Sequence, residues 1–335
     1  MSEPLSLPPL RDPVLIVGGY GYRNVGDEAM LAGLLRILEG RSVTVLSRAP
    51  AETSATHGVR ARPLWQAPTQ LRTHATVLIG GGALFGRDMG HLGRALPIYG
   101  TLARLMGRRL VVAGISIERE MPAVRQRLAR ALLGSADWVH VRDRGSAELL
   151  DAWGVASSVG ADLSAALHPS RSAVGRALVQ GAGVNVHKPV IGLALTGVNG
   201  ALGRQVGQAV IGFARQSRGV ELCLVPMSQH PFVATHNDVL FCRSLQAAAP
   251  NLKVLEGFHP PAAILSVFQS LSAAVCMRYH SFVFAERFAI PFIGYAYSPK
   301  VNAWLEERGI RSSMPSANIL AAEIDRLLAV RSIAS

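Results

Sequence analysis

Short runs rich in β-branched residues alternate along this chain with segments whose apolar residues recur at three- and four-residue steps. That alternation restricts the fold more than any other feature. In the first half, strands are expected at 13–18, 43–47, 76–79, 109–114 and 137–141, and helices at 27–39, 91–106, 122–134 and 145–153. Strands joined through helices lie parallel, so the pattern implies a doubly wound α/β sheet. Within 27–39, Met30, Leu31, Leu34, Leu35 and Leu38 make one stripe for burial. A second alternating set begins with a strand at 190–195 and closes with a strand at 291–295 and a helix at 300–308. The stretch between loses the alternation and holds Gly, Ser and Pro. The expected organisation is therefore an N-terminal Rossmann-like domain over 1–170, a linker over 171–189, a C-terminal Rossmann-like domain over 190–315 and a C-terminal helix over 316–335. Two such α/β domains facing each other would leave a cleft lined by the carboxyl ends of their strands.

At 335 residues and 49% hydrophobic composition, the chain is long enough for two cores of ordinary size. Its mean hydropathy of +0.27 raises the question of a membrane span. The most apolar stretch, 272–297, contains Arg278, His280, Glu286 and Arg287, so no span is expected. Met-Ser-Glu-Pro-Leu-Ser at the start lacks a basic segment followed by an apolar core, and a cytoplasmic location is expected. Cys223, Cys242 and Cys276 are odd in number and far apart, which fits free core thiols better than disulfides or zinc ligands. A formal net charge of +12 points to an anionic partner. The arginines are dispersed and aromatic residues are only 6%, which argues against nucleic acid and leaves a small anionic substrate or an acidic membrane surface.

Four segments carry candidate chemistry. In "GGYGYRNVGDEAML", residues 18–31, the spacing Gly21-x4-Gly26 imitates a phosphate-binding loop, but Asp27 stands where that loop needs Lys. Asp27 and Glu28 are either ordinary first-turn carboxylates or, for Asp27, a base for a substrate hydroxyl. In "TVLIGGGALFG", residues 76–86, Gly80, Gly81 and Gly82 allow either close ligand approach or a tight turn at the strand's end. In "VHVRDRGSAELL", residues 139–150, Arg142 is either a solvated partner of Asp143 or a fork for a carboxylate or phosphate. In "AAVCMRYHSFVFAERFAIPFIGYAYSPKV", residues 273–301, Arg278 and His280 fall where a strand ends and a helix begins, a place that favours an anion, and His280 is either part of such a site or an ordinary capping or packed histidine. Tyr297 and Lys300 follow the next strand in the corresponding place. His230 and His236 with Asp238 match no strong metal spacing, and Asp162 is either a cleft carboxylate or a turn residue.

Taken in order, these four segments resemble the polysaccharide pyruvyl transferase family over roughly residues 14–310, with Arg278-x-His280 and the downstream Tyr297-x-Pro-Lys300 as the most specific part. The resemblance implies a fold like that of GT-B glycosyltransferases. It also implies transfer of the enolpyruvyl unit of phosphoenolpyruvate onto two hydroxyls of a sugar, giving a pyruvate ketal. Carried onto this chain, it makes Asp27, Arg278 and His280 the catalytic candidates. Arg142 or Arg144, Lys300, Tyr297, Gly81, Gly82 and Asn24 become the substrate-binding ones. Phosphoenolpyruvate is then the donor substrate, with no cofactor and no metal, and the acceptor is a sugar or a lipid-linked oligosaccharide. Such an acceptor brings peripheral association with the inner membrane surface into view. Two rival readings are a sugar-nucleotide GT-B glycosyltransferase, for which no clear Glu-x7-Glu is present, and a non-catalytic relative of the family.

Overall fold

The computed structural model describes residues 5–86, 90–198, 200–216, 219–310 and 314–334. The chain divides into two compact units, Met1–Tyr22 with Gly26–Leu167 and Arg23–Val25 with His168–Ser335. Each is a Rossmann-like α/β domain built on one parallel sheet.

The first unit contains β1 (Val14–Val17), β2 (Val43–Ser47), β3 (Arg60–Pro63), β4 (Thr76–Phe85), β5 (Arg109–Ile117), β6 (Trp138–Val141) and β7 (Ser158–Val159). Their spatial order is β3-β2-β1-β4-β5-β6-β7. β1 is buried along its whole length, as a central parallel strand must be. Leu15 and Val17 enter the core on one face, Val14 and Ile16 the core on the other. The helix Val25–Ile37 covers the second face with Met30, Leu31 and Leu34, and Leu38 joins them just past its end. Gly33 seats it directly on backbone, since a Cβ built there would lie 1.9 Å from the Leu163 carbonyl oxygen. The chain winds outward from β1 to β3 and returns at β4, so β1 and β4 flank the switch point where open α/β sheets take their ligands.

Two expectations are corrected here. The strand expected at 76–79 continues to Phe85, and the glycines thought to follow it lie inside it, with Gly80 opposite Ala113 and Gly82 opposite Ile115. The helices Pro50–His57 and Ala67–Thr73 and the edge strand β3 were not anticipated. Pro50–His57 buries only Thr53, and β3 buries only Ala61, so neither carries a readable apolar pattern.

In the second unit, β8 (Val190–Ala194), β9 (Glu221–Leu224), β10 (Lys253–Val254), β11 (Ala273–Cys276) and β12 (Phe292–Gly294) are ordered β10-β9-β8-β11-β12. The switch point falls between β8 and β11. The stretch 171–189, expected to be linker, instead holds the helix Ser172–Gly181. Gly175 brings it against the helix Pro261–Gln269, where a Cβ would come within 2.1 Å of the Ser266 carbonyl oxygen. The helix Ala317–Ala334 buries Leu320 and Ile324 in the same core. All three cysteines are buried and free. Burial pushes the Cys223 and Cys276 thiols up to about 12 from 9.0. No helix among the described residues is long and apolar enough to cross a membrane.

Candidate functional site

In the first unit the glycine-rich turn after β1 and the glycines of β4 build a compartment for one carboxylate. Asp27 lies in the first turn of its helix, with its side chain between two glycine backbones. A Cβ at Gly82 would come within 2.9 Å of Asp27 Oδ1, and one at Gly19 within 3.6 Å of Oδ2. Gly81 and Gly82 have φ of 74° and 95°, a conformation that disfavours L side chains. Tyr20 ties the turn to β4 by donating its hydroxyl hydrogen to the Gly80 carbonyl at 2.6 Å. Burial above all, then the charges of Asp27 and Glu28, holds that phenol well above its ordinary range, so it stays protonated.

Glu28, adjacent to Asp27, is fixed by two bonds that the sequence did not reveal. Its Oε1 accepts the Gly21 N–H at 2.8 Å, and its Oε2 lies 2.7 Å from His57 Nε2 in a buried pair. The two carboxylates thus divide the work. Glu28 braces the turn from within, while Asp27 is only half-buried.

Arg142, at the carboxyl end of β6, is buried and held internally. Its Nη1 donates to Asp162 Oδ2 at 2.5 Å, its Nε to Ser116 Oγ at 2.9 Å, and Nη1 also reaches Met30 Sδ at 3.2 Å. Met30 in turn abuts Gly81 and Gly82. The partner considered from sequence, Asp143, instead caps the helix Arg144–Ala152 by accepting the Ser146 N–H at 2.8 Å. Arg144 is exposed at the first position of that helix. Beside this pair, His140 accepts the Gly114 N–H on Nδ1, and its pKa is lowered by burial, with Asp162 partly opposing.

In the second unit, β11 ends at Cys276 and the helix Tyr279–Arg287 begins with Arg278 as its N-cap residue. The Arg278 guanidinium makes a bidentate pair with Asp238, Nε to Oδ2 at 3.0 Å and Nη2 to Oδ1 at 2.7 Å. Asp238 is fully buried at the start of the helix Asp238–Ala248. Burial alone would lower the Arg278 pKa, but the Asp238 charge and hydrogen bonds, with Tyr297 assisting, raise it. The cation also lies 5.9 Å from the Tyr297 ring centroid. His280 is buried at the second position of the helix, edge-on to Tyr279 and Phe284. Lys300 belongs to the helix Pro299–Glu306, and its side chain lies outside the described residues.

Asn24, read from sequence as part of the turn that holds Asp27, groups with the second unit. It pairs with Ser228, whose carbonyl accepts the Asp238 N–H at 2.8 Å. Asn24 therefore connects through one backbone step to the carboxylate that holds Arg278. Asp238 is the functional candidate that sequence reasoning undervalued. Asn-Asp ahead of an apolar helical run was the available signal, obscured by the nearby histidines. His230 and His236 pack edge-on at 5.9 Å, and His230 Nδ1 accepts the Phe232 and Val233 N–H groups. Among the described residues no cluster of three His, Cys, Asp or Glu is arranged to hold a metal.

Among solved structures, the chain is similar to Anabaena HepE in complex with UDP-glucose, at 14% identity and a TM-score of 0.57, covering 95% of this chain and 96% of that one. It is also similar to UDP-GlcNAc 2-epimerase from Neisseria meningitidis bound to UDP-GlcNAc, at 12% identity and a TM-score of 0.60, covering 96% and 92%. Escherichia coli ADP-heptose heptosyltransferase II matches at 13% identity and a TM-score of 0.55, covering 95% and 99%. These likenesses show a GT-B-like fold. No curated protein matches the chain. The family model of polysaccharide pyruvyl transferases matches residues 24–299, which takes in Asp27, Arg142, Asp238, Arg278 and His280. This chain belongs to the polysaccharide pyruvyl transferase family.

Proposed function

We propose that this protein moves the enolpyruvyl group of phosphoenolpyruvate onto two hydroxyls of a sugar, in a polysaccharide or its precursor, to form a pyruvate ketal. The observation that carries the reading is Arg278, held rigidly by Asp238 at the start of a helix with His280 two positions further on. A helix N-terminus presents N–H groups without intrahelical partners, and a fixed guanidinium beside them favours a carboxylate or phosphate. Asp238 takes the Nε and Nη2 edge of the fork, so an incoming oxyanion would be met from Nη1. We assign Tyr297 and Lys300 to the donor as well. Of the two arginines after β6, Arg142 braces the strand end, and we assign substrate contact to the exposed Arg144.

In this reading the second unit serves the donor and the first the acceptor. His280 gives a proton to the methylene carbon, and positive charge develops at the central carbon. Asp27 accepts the proton of the first sugar hydroxyl as its oxygen bonds there, with Gly81, Gly82 and Asn24 contributing backbone contacts. The carbon–oxygen bond to phosphate breaks and the phosphate leaves with its electron pair, stabilised by the fixed cations. The second hydroxyl closes the ketal and its proton restores His280. Of the two hydroxyl protons, one balances the new methyl group and the other leaves with phosphate.

The test is phosphate release from phosphoenolpyruvate in the presence of candidate sugar acceptors. Arg278→Ala and His280→Ala should abolish it, and full turnover by both variants would refute the assignment. Calorimetric titration with phosphoenolpyruvate against a nucleotide sugar provides a second arm, because tight binding of the nucleotide sugar alone would move the protein to glycosyl transfer.

A further inference from the structure

The helices Gly90–Leu105 and Ala123–Gly134 lie side by side on one face of the first unit's sheet. Gly100 lets them touch, since a Cβ there would fall 1.9 Å from Leu132 Cδ1. Their outward faces therefore join into one surface. Ile98 and Leu105 on the first helix are 59% and 79% exposed, and Val124 and Leu128 on the second are 68% and 45% exposed. The spacings, seven and four residues, put each pair on one helix face. Scattered exposed aliphatics are ordinary, but four on two adjoining helices make a patch. Trp65, 77% exposed, follows Leu64, whose carbonyl accepts the Tyr99 hydroxyl at 3.4 Å.

Arg94, Arg127 and Arg130 are exposed on the same helices, and neither helix contains an Asp or Glu. Arginine interleaved with aliphatic residues fits an anionic lipid bilayer, where the cations meet headgroup phosphates and the apolar groups enter the boundary of the acyl chains. A second copy of the chain is a poor occupant. A two-fold contact through this patch would set the arginines of the two helices against their copies with no carboxylate on either helix to offset them. Nucleic acid would engage the arginines and gain little from Ile98 or Leu105.

We propose that this surface docks the first unit on an anionic membrane. The proposal does not depend on the reaction, and its test needs no substrate. The full chain is sedimented with vesicles of phosphatidylcholine alone and of phosphatidylcholine with about one-third phosphatidylglycerol. Binding to the anionic vesicles, weakened by salt, is the expected result. The pair Arg127→Glu and Arg130→Glu should reduce partitioning by about tenfold or more. Leu105→Asp should reduce it without changing the melting temperature, since the side chain is already in water. Wild-type protein that stays in the supernatant with anionic vesicles overturns the proposal, as do variants that bind like the wild type. So does a wild-type dimer broken by Leu105→Asp with vesicle binding unchanged, which would make the patch a contact between copies.

Discussion

At the scale of single residues, the candidate site depends on pairs that fix a charge before any substrate arrives. Removing one member of a buried pair leaves the other charge unmatched, so Asp238→Ala should lower stability by about 3–5 kcal/mol, read from denaturant titration. Under the proposed function, phosphoenolpyruvate affinity should fall with it, because Arg278 loses its orientation. Gly82→Ala tests the other compartment. With φ at 95° and Asp27 Oδ1 2.9 Å from the new Cβ, it should cost about 1–3 kcal/mol and displace the carboxylate, which slowed phosphate release would report. Much of this was legible in the sequence. Arg278, His280 and Asp27 stand out because charges that follow apolar strands are unusual. Their partners were not legible, since Asp238 lies 40 residues before Arg278 and Asp162 lies 20 after Arg142, and only the fold brings such residues together.

At the scale of elements, strands with continuous apolar runs were readable and those at the sheet edges were not. β1 and β11 are buried throughout, whereas β3 must survive on one buried alanine. Helix Ser172–Gly181 escaped notice because Gly175 reads as a helix breaker, while the structure uses its missing side chain for backbone contact with Ser266. Gly175→Ala should therefore destabilise the second unit by roughly 2 kcal/mol or more despite raising helix propensity, measured as a drop in melting temperature. The same substitution at Gly181, with nothing within 4 Å, is the control and should be nearly neutral.

For the whole molecule, buried ionisable groups limit the pH range of stability at both ends. His74 and His140 have pKa values lowered chiefly by burial, so the folded state binds fewer protons than the unfolded one. Their contribution is complete above the ordinary 6.5 and is lost as pH falls below it. Cys223 and Cys276 act in the opposite sense. Raised to about 12 from 9.0, they keep protons that the unfolded chain gives up, so stability present below pH 9.0 declines as pH rises toward 12. Melting temperatures measured across pH should show both declines. The twofold use of one α/β plan was evident from the sequence, but nothing in it signalled that Arg23–Val25 groups with the later half. The Val25 N–H donates to the Met227 carbonyl, a partner 202 residues further on (227 − 25). On a ribosome adding about 5–20 residues per second, the segment waits about 10–40 s for its partner to be made. Arrested nascent chains that stop short of Met227 should exchange the Val25 amide freely, and released full-length chains should protect it.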